Sequence, residues 1–204
     1  MMQDSAAGYD GSQRSLSGLS GGDGEKYTQM LSSGKMMCGT YLNDAIATAL
    51  KVSECNACMK RIVAAPTAGS CGVIPAVLIP YRKEYPDTPE EEMLHALYVT
   101  GGFGNIIAER ASVSGAEAGC QAEIGAASAM AAAALVYLRG GSPEACGNAC
   151  AMALKNLLGL VCDPVAGLVE VPCVKRNVVG VVNAISCANT VSYTHLRAHE
   201  TGRN

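Results

Sequence analysis

Between positions 124 and 139 the chain reads IGAASAMAAAALVYLR and then stops at Gly140-Gly141. Alanine is the strongest intrinsic helix former, so this run predicts a helix whose surface carries little side-chain bulk. The rest of the sequence agrees with it. Phe103 and eight tyrosines are the whole aromatic supply, tryptophan is absent, and 49% of the residues are apolar. A core made of alanine, valine, leucine, isoleucine and methionine calls for helices packed close together. With 204 residues the chain suits one domain and can bury a real core.

Apolar residues at helical spacing predict further helices over residues 41–60, 73–81, 105–111 and 178–191. Pro75 and Pro80 interrupt the second of these. Thr88 followed by Pro89 and three glutamates predicts a capped start, with Thr88 and Glu91 at capping-box spacing. That helix should run to about Thr100, where Gly101-Gly102 end or kink it. Ser142-Pro143-Glu144 repeats the cap-and-proline logic and opens a helix through Leu158, closed by Gly159. Alternation of period two is missing and no internal repeat occurs. The expected class is mainly α: a compact multi-helix domain with Gly/Pro-rich loops. Residues 1–25 form a polar, Gly/Ser-rich opening segment, 26–191 the helical domain, and 192–204 an atypical tail that breaks the apolar pattern and is expected to be disordered or foreign.

Several function classes drop out. A net charge of −3 without a basic run leaves no nucleic-acid footprint. The first twenty residues carry no secretory signal, and the apolar run 126–138 is shorter than the roughly 20 residues of a membrane span. A soluble, cytoplasmic protein is expected, in which ten cysteines serve as core fillers, metal ligands or nucleophiles. There is no Walker loop, Gly101-Gly102-Phe103-Gly104 fails the dinucleotide fingerprint, and no G-x-S-x-G elbow is present. His95 lies on an apolar helix, and His195 and His199 lie in the tail without a metalloprotease motif. Lys35, Lys60 and Lys155 lack the context of a Schiff-base lysine.

Most thiols read as packing. Cys55 and Cys58 form a lone C-x-x-C inside a helix, Cys146 and Cys150 lie one turn apart among alanines, and Cys38, Cys71 and Cys187 belong to no motif. Cys120, Cys162 and Cys173 differ, because glycine and proline beside each sulfur place them in loops or at helix ends. Three thiolates are one short of the usual set around an iron–sulfur cluster or structural zinc, and a missing fourth ligand is what a substrate-binding metal needs. Their spacing by itself matches no compact metal signature. Ser20-Gly21-Gly22-Asp23-Gly24 and Pro66-Thr67-Ala68-Gly69-Ser70 read either as tight turns or as nests whose N–H groups hold a small anion.

Four segments carry a family resemblance that runs from about Ser17 to Val191. They are Ser20-Gly21-Gly22-Asp23, Ala64-Ala65-Pro66-Thr67-Ala68-Gly69-Ser70, Gly115-Ala116-Glu117-Ala118-Gly119-Cys120-Gln121, and the stretch from Leu158-Gly159-Leu160-Val161-Cys162-Asp163-Pro164 through Glu170-Val171-Pro172-Cys173. The chain resembles the alpha chain of the iron–sulfur-dependent L-serine dehydratases (L-serine ammonia-lyases). The resemblance implies that Cys120, Cys162 and Cys173 hold a [4Fe–4S] cluster whose open iron acts as Lewis acid on the hydroxyl of L-serine. It offers Ser20, Asp23, Thr67 and Ser70 as substrate-binding candidates, with Lys155, Asn156 and Glu117 as groups that could tune the site or be structural. The catalytic base stays unknown in this chain, and the family view places a histidine on a partner beta chain. It also implies a fragment, because alpha chains of the family extend further on both sides. Rival readings are an L-cysteine desulfidase built on related alpha-type sequence and a non-catalytic iron–sulfur protein.

Overall fold

The computed structural model describes the backbone of residues 1–200 and the side chains through Ser192. Its helices are α1 (Met2–Ala7), α2 (Asp23–Leu31), α3 (Thr40–Ala57), α4 (Val73–Glu84), α5 (Glu90–Arg110), α6 (Gly115–Ala118), α7 (Cys120–Leu138), α8 (Pro143–Asn156) and α9 (Cys173–Glu200), with a 3-10 turn at Val165–Gly167. No strand occurs among the described residues, so the expected mainly α class holds.

The alanine run forms the centre. Helix α7 packs against α8, α9, α5 and α4, and Ala126, Ala127, Ala129 and Ala131 through Ala134 are fully buried. Small side chains let neighbouring backbones approach. At Gly180 of α9, a Cβ would lie 2.9 Å from Ile124 Cγ2 and 3.1 Å from Val73 Cγ2. Polar lacing fixes the register there. Ser128 Oγ donates to the Gly180 carbonyl at 2.8 Å, while Asn183 Nδ2 donates to Ser128 Oγ and to the Ala153 carbonyl of α8, each at 2.9 Å. Because α7 extends back to Cys120, it is long and apolar enough by composition to cross a membrane, yet 72% of the 18-residue window is buried inside the molecule. It is the core helix.

Several expected boundaries moved. Helix α5 passes through Gly101-Gly102 without a break. Its buried stripe of Met93, Ala96, Thr100, Gly104 and Ile107 continues across the pair, which lies on the exposed side. Glycine costs about 1 kcal/mol in a helix but keeps its N–H, so packing on one face outweighs it. Pro89, not Thr88, is the N-cap of α5, and no side-chain cap bond forms. At α8 the expected cap is present, with Ala145 N–H donating to Ser142 Oγ at 3.1 Å ahead of Pro143. The opening segment contains α1 and the start of α2, neither anticipated from its polar composition. Helix α9 runs over Cys173–Glu200 and so continues into the atypical tail. The side chains of His195 and His199 lie outside the described residues.

Candidate functional site

Four segments that are remote in sequence meet around the start of α9. The first is α9 itself, whose opening residue is Cys173. The second is the start of α7 at Cys120, preceded by Gly119 at φ 78°, a left-handed conformation that glycine adopts without strain. The third is the loop 157–172, which carries Cys162, and it is stitched to α7. Gln121 N–H donates to the Leu160 carbonyl at 2.8 Å, and Gly159 N–H donates to Gln121 Oε1 at 2.9 Å. The fourth is the loop 58–72, tied to α9 by buried Asn177. Its Nδ2 donates to the carbonyls of Gly69 (2.8 Å) and Cys173 (3.0 Å), and its Oδ1 accepts from Gly72 N–H at 2.9 Å.

Arg176, one turn into α9, clasps the thiol-bearing segments. Its Nη1 lies 3.2 Å from Cys120 Sγ, 3.0 Å from the Val161 carbonyl oxygen and 2.6 Å from Asp163 Oδ1. Cys120 and Cys173 are buried and Cys162 is exposed. Burial pushes the Cys120 thiol up, and the hydrogen bond and charge of Arg176 pull against it. Burial, then the neighbouring Cys120, Glu123 and Cys162, push Cys173 up to about 11. Cys173 is therefore a neutral thiol at pH 7 that must release a proton to ligate a metal. Among the described residues no three His, Cys, Asp or Glu side chains are gathered at ligating distance. Cys120, Cys162 and Cys173 nevertheless lie near one another around the start of α9.

Thr67 and Ser70 stand together, their hydroxyl oxygens 3.0 Å apart. Thr67 Oγ1 also donates to Glu123 Oε1, from the first turn of α7. The carboxylate of Glu123 lies so close to the backbone that a Cβ on Gly69 would come within 2.5 Å of Oε1 and one on Gly115 within 2.8 Å of Oε2.

Ser20 precedes α2 and Asp23 opens it, and this segment touches both the loop 157–172 and α9. Glu170 Oε2 accepts from Ser15 Oγ and Ser17 Oγ, each at 2.6 Å, and Asp23 lies 3.6 Å from Lys175 Nζ. The N–H groups of Asp23 and Gly24 donate to Glu54 at 2.8 and 3.1 Å. Glu54 is 1% exposed, so an internal carboxylate fills the position that a nest offers to an anion. Tyr9 donates to the same carboxylate at 2.6 Å; burial, followed by Glu54, raises its pKa.

The remaining candidates lie apart. Glu117 accepts from Ser112 Oγ, Asn156 bonds to Asn183 and Cys187, and Lys155 is exposed. His95 is on α5 beside Tyr137. Sequence reasoning missed Arg176, Asn177, Glu54, Glu170 and Glu123. None has a motif of its own, although Arg176 and Glu123 each stand three residues after a singled-out cysteine.

The serine dehydratase alpha chain family model matches residues 1–200. A Bacillus subtilis protein named "Probable L-serine dehydratase, alpha chain" is 51% identical over 175 residues, covering 86% of this chain and 58% of its own length. The "L-serine dehydratase, alpha chain" of Peptoniphilus asaccharolyticus is 48% identical over 157 residues, or 77% of this chain and 53% of that one. An Escherichia coli protein named "L-serine dehydratase 2" is 46% identical over 140 residues, covering 69% of this chain and 31% of its own. The chain thus spans little more than half the length of the two alpha chains. Residues 1–200, including every segment around the start of α9, belong to the serine dehydratase alpha chain family.

Proposed function

We propose that the chain is the cluster-bearing part of an L-serine ammonia-lyase, converting L-serine to pyruvate and ammonia. The observation that carries this reading is the meeting of Cys120, Cys162 and Cys173 with the Thr67–Ser70 loop around the start of α9. The donor chemistry fits a [4Fe–4S] cluster. Two thiols open helices, whose N-terminal N–H groups favour a thiolate, and the third is exposed on a loop. Ten free cysteines suit a reducing cytoplasm. When bound through three thiolates, such a cluster supplies a Lewis-acidic iron for the substrate hydroxyl.

The chain's own residues do the rest of the holding. Arg176 fixes Cys120 relative to the loop that bears Cys162, and Asn177 fixes Gly69 and Cys173 to each other. Thr67 orients the substrate with Ser70 buried beside it, and Asp23 faces Lys175 of α9. Loss of the α-proton and of water leaves an aminoacrylate, which tautomerises and hydrolyses to pyruvate and ammonia. The base is assigned to a partner beta chain. The loop around Cys162 is suited to being covered by one, since Leu158, Val161, Val165 and Val169 are about half exposed or more.

The test is electron paramagnetic resonance of the anaerobically reconstituted, reduced protein. A cubane-type signal that shifts with L-serine, is lost in Cys162→Ser and survives in Cys58→Ala is expected. A signal indifferent to L-serine in the presence of the beta chain would sink the lyase reading in favour of a non-catalytic iron–sulfur protein. Sulfide release from L-cysteine without pyruvate from L-serine would favour a desulfidase.

A further inference from the structure

The Thr67–Ser70 loop reads from the sequence as a holder of anions, but its electrostatics point the other way. Glu123 faces this loop from α7, half-buried, with Oε1 occupied by the Thr67 hydroxyl. No N–H or O–H among the described residues donates to Oε2, and no lysine, arginine or histidine lies within 4.0 Å of the carboxylate. Glycine at 69 and 115 leaves room for it. Thr67 spends its one proton on Glu123, so its oxygen offers the remaining lone pairs as an acceptor. Arg176 does not serve Glu123 as a counter-charge, being paired with Asp163 and bonded to Cys120 and the Val161 carbonyl.

A carboxylate left without a counter-charge beside two hydroxyls repels an anion and attracts a cation. We infer that Glu123, with Thr67 held as acceptor, is the receptor for the α-ammonium of the amino-acid substrate, so that this loop selects amino acids over hydroxy acids. The inference rests on the proposed lyase function and adds the group that reads the nitrogen. Ser70 is fully buried, with its oxygen 3.0 Å from that of Thr67 and 3.4 Å from the Thr67 carbonyl, so it holds the Thr67 hydroxyl in place from behind. A hydroxy acid of the same shape would leave Glu123 unpaired against a neutral hydroxyl.

The experiment measures equilibrium binding of L-serine and of L-glycerate, which replaces the ammonium by a hydroxyl, to the cluster-loaded enzyme with its beta chain. Bound iron is quantified for each variant. In Glu123→Gln, L-serine binding should weaken about tenfold to a hundredfold, the range of one charge-assisted hydrogen bond. L-glycerate binding should stay within about threefold, because a neutral hydroxyl gains little from a carboxylate in place of an amide. Thr67→Val, nearly isosteric, should shift the same ratio in the same direction by a smaller factor, and it decides the matter if Glu123→Gln fails to load iron. Equal weakening of both ligands with full iron content would make Glu123 a structural prop and overturn the inference. Unchanged L-serine affinity with reduced turnover would overturn it too, and would assign Glu123 to proton transfer. Wild-type enzyme that binds neither ligand would instead defeat the proposed function itself.

Discussion

Arg176 shows how much one side chain decides at this site. Its Nη1 meets a sulfur from α7 and two oxygens from the loop 157–172, so it couples thiol-bearing segments that are remote in sequence. Groups that hold metal ligands in place typically contribute 10- to 100-fold to metal affinity. Arg176→Leu should weaken cluster retention by about that factor, read by iron loss to a chelator over time, and Arg176→Lys should restore part of it. Retention equal to wild type in Arg176→Leu would remove Arg176 from the support of the ligands. Glu54 acts similarly at a distance, presenting its buried carboxylate to the N–H groups of Asp23 and Gly24. Neither residue stands out in the sequence. A lone arginine or glutamate on a helix has the same local pattern whether it faces water or a ligand, and only the partner across the fold distinguishes the two.

At the scale of elements, the readable features were those written by neighbouring residues. The alanine run, the cap at Ser142 and the glycine and proline around the three cysteines were legible because helix period and turn chemistry are local. Helix α5 was misread at Gly101-Gly102 because burial on the opposite face, which carries the helix through, is not local. The start of α7 at Cys120 was legible only as a helix end, not as the particular residue. The contact of α9 with α7 and α4 at Gly180 was not legible at all. It gives a direct test of the close-packing argument: Gly180→Val should destabilise the protein by about 1–3 kcal/mol through overpacking against Ile124 and Val73, measured by urea unfolding. A stability unchanged within error would mean that the interface can relax and that α7 and α9 are not closely packed there.

For the whole molecule, the distribution of exposed apolar surface bears on how the site is completed. Leu158, Val161, Val165 and Val169 are exposed on the same loop as the exposed Cys162, whereas Cys38 is exposed in a separate part of the chain. If a beta chain covers this loop, its addition should slow alkylation of Cys162 in the metal-free protein and leave Cys38 unchanged, followed by peptide mass spectrometry. Equal rates with and without the beta chain would argue that the loop stays uncovered. The amino-acid sequence by itself determined that the molecule is helical, that its core is alanine-rich and which family it belongs to, because periodicity and motif are properties of adjacent residues. Tertiary structure alone decided that Glu54 fills the first nest, that Glu123 faces the second, and that Arg176 stands with the thiols. Those pairings join residues whose separation along the chain carries no signal, and they exist only because close helix packing brings four segments to the start of α9.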